Sequence, residues 1–218
     1  MNIINRFLKR SFDIVSSAIG LAILSPVMLL MAALIRLEDK GPVLYRGERV
    51  GKNHRPFKML KFRTMVVNAE RLGGSSTSDD DSRITKTGRA LRKYKIDELP
   101  QLINVLKGEM SLVGPRPQVR WAVELYNENE KRLLNVRPGI TDYASIRFRN
   151  EGEILKGSTD PDGDYLKKIA PEKIRLGLLY VDSASFITDL RIILLTLKTM
   201  LADEKEERNF KDNEKSHA

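Results

Sequence analysis

The longest apolar run in the chain is IVSSAIGLAILSPVMLLMAALI, residues 14–35, which is 22 residues without a charge. As a straight helix it would cover roughly 33 Å, enough for a bilayer core. Ser25 and Pro26 fall at its midpoint. A proline there removes one backbone hydrogen bond and clashes with the preceding turn, while the serine hydroxyl can help satisfy the freed backbone. Both flanks are basic: Arg6, Lys9 and Arg10 precede the run, and Arg36, Lys40, Arg46, Arg49 and Lys52 follow it. Basic flanks stay on the cytoplasmic side of a membrane, so both ends ask for the same face. A helix that enters, breaks at Ser25-Pro26 and returns satisfies both features. A spanning helix with a proline kink and a buried core helix are the alternatives. The run is too long for a secretory signal core and shows no clear cleavage site.

After it, PVLYRGERVGKNHRPFKMLKFRTM (42–65) alternates short apolar pieces with Gly, Asn and Pro, predicting one or two strands with turns. GGSSTSDDDSR (73–83) reads as a polar loop. Its Asp79, Asp80 and Asp81 lack the glycine and ligand alternation of a calcium loop. Residues 84–96 look helical. A second helix is expected to start at Asp97, with Leu99, Leu102, Ile103 and Leu106 as its apolar stripe. Two proline-bounded turns follow, VGPRPQ (113–118) and VRPGIT (136–141), with a charged helical stretch between them at 118–134. The segment from 142 to 164 reads as irregular, 171–181 and 188–201 as helices, and the residues from 203 onward as a disordered polar tail. The predicted class is α+β, predominantly helical, in three parts: a basic segment with its membrane helix (1–40), a globular domain (41–202) and the tail (203–218).

Composition narrows the chemistry. There is no cysteine, which excludes disulfides, thiolate zinc sites and cysteine nucleophiles. The only histidines are His54 and the penultimate His217, poor material for a serine triad. Net charge is +9, and the acidic tail leaves the rest of the chain at about +11. Such a surplus suits an anionic membrane face or a phosphorylated substrate. With 6% aromatic residues and no recognisable nucleic-acid motif, nucleic acid is not an expected partner.

The candidate chemistry lies in KIDELPQLINVLKGEM (95–110). Asp97 has the makings of a helix N-cap, with Glu98 in the first turn and Pro100 where a missing N-H costs nothing. Arg89, Arg92, Lys93 and Lys95 directly before it, together with a helix start, would also hold a phosphate beside a carboxylate. That setting would keep Asp97 ionised as a nucleophile and leave room for Mg2+ shared with diphosphate oxygens. In GPRP, Pro115 and Pro117 restrict the backbone around Arg116, presenting its fork to a phosphate or carboxylate. In PGIT, Gly139 could take a positive φ and bring amides close to a ligand.

Taken in order, the SP break at Ser25 and Pro26, KFRTM (61–65), DELPQLINVLKGEMSLVGPRP (97–117) and RPGIT (137–141) closely resemble the bacterial sugar transferase family, the small monotopic phosphoglycosyl transferases. The likeness covers nearly all of residues 1–200. It implies a monotopic enzyme on the cytoplasmic face of the bacterial inner membrane, held by a re-entrant helix and by interfacial amphipathic helices. It implies transfer of a sugar 1-phosphate from a UDP-sugar to undecaprenyl phosphate, with release of UMP. It assigns Asp97 as the nucleophile that forms a covalent phosphosugar intermediate, and Glu98 as its partner, both holding Mg2+. It places Lys61, Arg63, Arg92 and Arg116 on the substrate phosphates, and Pro138, Gly139, Ile140, Thr141 and Arg149 at the nucleotide. Membrane phospholipids and downstream glycosyltransferases are the further partners it implies. The chain departs from the commonest family pattern in ITDYASIRFRNEGE, where Asp142 replaces a glycine and Phe148 precedes Arg149. The identity of the sugar is therefore left open. The alternative from a different class is a non-catalytic basic membrane adaptor for a glycan-assembly complex.

Overall fold

The computed structural model describes the backbone of residues 3–216 and the side chains of residues 3–202. Its first element is one long helix, α1 (Ile3–Asp39), in which Pro26 is internal. The expected break at Ser25-Pro26 is not an interruption of this helix. Ser25 Oγ donates to Ala22 O at 2.8 Å, the carbonyl that Pro26 leaves without its backbone donor.

One stripe of α1 lies along the globular domain. Arg10 donates to Val105 O (2.7 Å) and Leu106 O (3.0 Å), satisfying end-of-helix carbonyls. Buried Asp13 accepts from Ser111 Oγ and Leu112 N at 2.8 and 3.0 Å. Met28, Met31, Ala32 and Ile35 pack around Phe62 and Leu91. The C-terminal end is tied as well, since Glu38 accepts from the Lys86 and Thr87 amides and Asp39 pairs with Arg63. Positions 10, 13, 17, 28, 31 and 35 recur at spacings of three, four and their sums, as one face of a helix requires. The remaining faces expose Ile19, Ile23, Leu29, Leu30 and Leu34.

The predicted strands form a hairpin, β1 (Leu44–Val50) antiparallel to β2 (Pro56–Phe62), with Leu44 opposite Phe62 and Val50 opposite Pro56. Its turn places Asn53 and His54 at φ 55° and 60°. Asparagine tolerates that left-handed region well. Phe57 and Met59 pack on Val105 and Met110, and the two-residue period of the strand puts Lys61 on that same face.

Next come α2 (Lys86–Lys93), capped by the Thr85 hydroxyl, and α3 (Gln101–Lys107), closed by Gly108 at φ 82°. The buried face of α3 is Gln101, Leu102, Asn104 and Val105, rather than the expected Leu99-Leu102-Ile103-Leu106 stripe. Asn104 explains the rotation: its Oδ1 accepts from Leu60 N and its Nδ2 donates to Lys58 O, each at 2.9 Å, tying α3 to β2. β3 (Ser111–Val113) and β4 (Gly139–Thr141) form a short parallel pair.

The charged stretch expected as one helix at 118–134 is instead α4 (Arg120–Glu124) and a 3-10 turn at Glu130–Asn135. Asn127 Oδ1 accepts from the amides of Asn129 and Glu130, capping a new turn and ending the first helix. The segment expected to be irregular holds α5 (Tyr143–Arg147), α6 (Glu151–Ile154) and α7 (Pro161–Lys168). Asp142 and Asp160 cap the first and last of these. α8 (Ala170–Ser183) and α9 (Phe186–Ser216) complete the chain, and α9 continues as helix into the stretch expected to be an unstructured tail.

Candidate active site

The carboxylate pair sits in a 3-10 turn, Ile96–Glu98, entered through Lys95 at φ 56°. Asp97 is therefore not the N-cap of α3; Pro100 holds that position and gives no side-chain cap. Freed from capping, Asp97 is buried, and its Oδ1 has no hydrogen-bond partner. Glu98 is fully engaged: Oε1 accepts from Lys61 Nζ at 2.9 Å and from Arg116 Nη2, while Oε2 accepts from Arg116 Nη1 at 3.2 Å. Lys61 Nζ stands 4.0 Å from Asp97 Oδ2 and so faces both acids.

These surroundings push the two carboxyls apart. Burial is the largest influence on Asp97 and raises its pKa, helped by the neighbouring charge of Glu98 and opposed by Lys61, Lys95 and Arg92. Burial presses on Glu98 too, but Arg116 and Lys61 outweigh it and hold that carboxyl well below the usual range. Arg116 is driven the other way by Glu98 and is firmly cationic. One carboxylate is thus locked as an anion and the other is left electrostatically exposed, an asymmetry typical of paired acids with different tasks.

Arg116 is held by its neighbours in sequence and space. Pro115 and Pro117 flank it, both buried, and the Gly139 amide donates to Pro115 O at 3.1 Å. The Gly114 amide donates to Thr141 O at 3.1 Å, so the PGIT strand fixes the GPRP turn directly. Gly139 serves this by its size. A Cβ there would lie 2.1 Å from Gly114 N, and its φ is not positive as expected. Pro138 and Gly139 accordingly pair with β3 and its turn, while Ile140 and Thr141 reach the cleft.

Lys61, Arg92, Asp97, Glu98, Arg116, Ile140, Thr141 and Arg149 all line one cleft of about 2440 Å³. Arg149 Nη1 donates to Thr199 O and its carbonyl accepts from Lys95 Nζ, linking α9 to the turn of the dyad. Arg63 lines the same cleft but differs in its partners. Its guanidinium is taken by Asp39, Pro42 O and Met65 O, so it anchors the end of α1. Sequence reasoning missed a further part of the lining, where Phe148 follows α5 and Glu151, Tyr165 and Lys173 come from α6, α7 and α8. The only signal was the departure from family pattern around residues 142–151.

The donor set fits a magnesium ion held largely by substrate. Asp97 Oδ1 is a buried oxygen without a hydrogen-bond partner, and among the described residues no group of three acidic or histidine side chains forms a cage.

Among the described residues, one helix is long and apolar enough to cross a membrane, and an acidic pair is ringed by cations of the kind that pair with carboxylates and phosphates. The chain belongs to the bacterial sugar transferase family, whose description matches residues 4–203. It is 38% identical over 198 residues to the UDP-N-acetylgalactosamine-undecaprenyl-phosphate N-acetylgalactosaminephosphotransferase of Aeromonas hydrophila, covering 89% of this chain and 44% of that protein. It is 41% identical over 197 residues to the uncharacterized sugar transferase EpsL of Bacillus subtilis (strain 168), covering 90% and 89%. It is 36% identical over 199 residues to the UDP-glucose:undecaprenyl-phosphate glucose-1-phosphate transferase of Caulobacter vibrioides, covering 90% and 70%. The chain thus spans less than half of the Aeromonas relative and most of the other two.

Proposed function

We propose that this protein transfers a sugar 1-phosphate from a UDP-sugar to undecaprenyl phosphate in the synthesis of a bacterial surface glycan. The observation that carries the reading is the unpartnered Oδ1 of buried Asp97, next to a Glu98 already neutralised by Lys61 and Arg116. An unpartnered buried carboxylate is costly, and such cost is retained where the group reacts. Relatives whose names specify undecaprenyl-phosphate sugar-phosphate transfer support the same substrates.

In the first step an Asp97 oxygen attacks the phosphorus nearer the sugar. An Asp97 O-P bond forms, the bridging P-O bond breaks, and UMP leaves with the bridging oxygen and its electron pair. In the second step an oxygen of the lipid phosphate attacks the same phosphorus, giving the sugar diphospholipid and returning Asp97 as carboxylate. Arg116, Lys61 and Arg92 are placed to offset the charge on the phosphates, and Glu98 keeps the first two oriented. Magnesium, held by an Asp97 oxygen and by the diphosphate itself, would supply further neutralisation; Glu98, expected as a second ligand, has both oxygens on Lys61 and Arg116.

The membrane arrangement follows from α1. Its N-terminal part docks through Lys9, Arg10 and Asp13, and its C-terminal part through Glu38 and Asp39, on one globular domain. A helix tied at both ends to the same body supports a monotopic seating, with the domain on the cytoplasmic face of the inner membrane. This depth brings the dyad to the level of a lipid phosphate.

The test is UMP release from a UDP-sugar panel by protein in lipid nanodiscs with magnesium and undecaprenyl phosphate, together with capture of the labelled phosphosugar on Asp97. No release from any UDP-sugar by folded protein would defeat the reading. Retained biological function in Asp97→Asn would return the adaptor alternative.

A further inference from the structure

The cleft that holds the dyad is also lined by a second charged pair that the chemistry above does not use. Lys173 Nζ donates to Glu151 Oε2, and the lysine sits between two rings, 5.1 Å from the Tyr165 centroid and 5.9 Å from that of Phe148. The Tyr165 hydroxyl donates in turn to Gln118 Oε1 at 3.4 Å. The lysine side chain is 9% exposed, while that of Glu151 is 30% exposed. All five residues line the same cleft as Asp97 and Arg116. Glu151 also acts electrostatically on Arg116.

A buried ion pair is a poor device for stability, because apolar residues of the same volume do as well or better. A pair kept on a cleft wall, half open to it, suits recognition. The sugar is bonded to the phosphate that Asp97 attacks, so it must lie in the part of the cleft adjoining Asp97. The pair is neutral as a unit and offers an acceptor and a donor together. That matches the hydroxyls of an uncharged sugar better than a planar base or an apolar prenyl chain.

Resting on the transferase reading, we propose that Glu151 and Lys173, framed by Phe148 and Tyr165, form the subsite that selects a neutral, hydroxyl-bearing sugar. Phe148 and Glu151 sit in the stretch where the chain departs from the commonest family pattern, so this wall of the cleft is where its sugar preference would be set apart.

The experiment compares wild type, Glu151→Gln and the double variant Glu151→Gln/Lys173→Gln in nanodiscs. Each is assayed for UMP release from UDP-glucose, UDP-galactose and their two N-acetylated counterparts, and for inhibition by UMP. The double variant leaves no unpaired buried charge and decides the matter if the single variant fails to fold. The expected result is a change of about tenfold or more in the kcat/KM ratio between the best and next sugar, with UMP inhibition within about twofold of wild type. An equal loss for every sugar, a parallel loss of UMP inhibition, or no change at all would make the pair a structural pin and overturn the assignment. Absence of release by wild type with every sugar would instead defeat the transferase reading, and this assignment with it.

Discussion

Replacing Asp97 by asparagine is expected to abolish turnover and, at the same time, to make the protein more stable. The wild-type carboxylate is buried, its Oδ1 has no partner, and burial with the charge of Glu98 raises its pKa despite three nearby cations. The folded state therefore disfavours the ionised form at neutral pH. Exchanging that anion for an isosteric neutral amide removes the charged part of an unsatisfied group, a gain of about 1 kcal/mol. For 218 residues this corresponds to a rise in Tm of about 2–4 °C. The sign can be checked with pH. A raised folded pKa favours the wild-type fold below the unfolded value, an advantage lost as pH rises through the folded value. The stability gap between the Asp97→Asn variant and the wild type should therefore be widest near pH 7 and shrink as pH falls through the carboxylate range. Thermal unfolding in nanodiscs across that range, paired with UMP release, makes the measurement. An asparagine variant that is less stable at pH 7, or a gap that widens in acid, would refute the electrostatic account of the dyad.

Arg116→Met leaves Glu98 with Lys61 as its remaining partner, so a loss of about 3 kcal/mol in denaturant unfolding is expected, with UMP release down at least about a hundredfold. Gly139→Ala forces a Cβ to within 2.1 Å of Gly114 N, a backbone atom that cannot swing away, and should cost about 3 kcal/mol by the same assay. Cysteines introduced singly at Ile4 and Asn53, in a background with no native cysteine, should both react from the same side of sealed vesicles; labelling from opposite sides would exclude the monotopic seating. Chelation with EDTA should stop UMP release and added magnesium restore it, whereas full activity in chelator would remove the metal from the mechanism.

The sequence carried the site further than it carried the local structure. The hairpin was legible because Leu44 to Phe62 alternates around a turn of Gly51, Asn53 and Pro56, and the apolar run announced α1 by length alone. Asp97 reads both as a helix cap and as a candidate nucleophile, because cap residues and reactive carboxylates look alike in one dimension. Only the left-handed Lys95 and the 3-10 turn show that its side chain faces the cleft instead. Arg63 was indistinguishable from Lys61 in KFRTM, although one points to the dyad and the other closes the end of α1. The strand period alone would put residues 61 and 63 on one face; they separate because β2 ends at Phe62 and Arg63 lies beyond it. The pair of Glu151 and Lys173 was illegible because its members lie 22 residues apart on two helices, and nothing local marks them as neighbours.

Helix α1 has a practical consequence for anyone wishing to study this protein in water. It looks like a detachable anchor, yet Asp13 satisfies Ser111 and Leu112, Lys9 pairs with buried Asp189, Asp39 takes Arg63, and Ile35 fills a space against Phe62 and Leu91. Trimming residues 1–40 would strand each of these groups and open one side of the core. A soluble fragment is better sought by repainting the outward-facing Ile19, Ile23, Leu29 and Leu30 with polar side chains than by cutting the helix away.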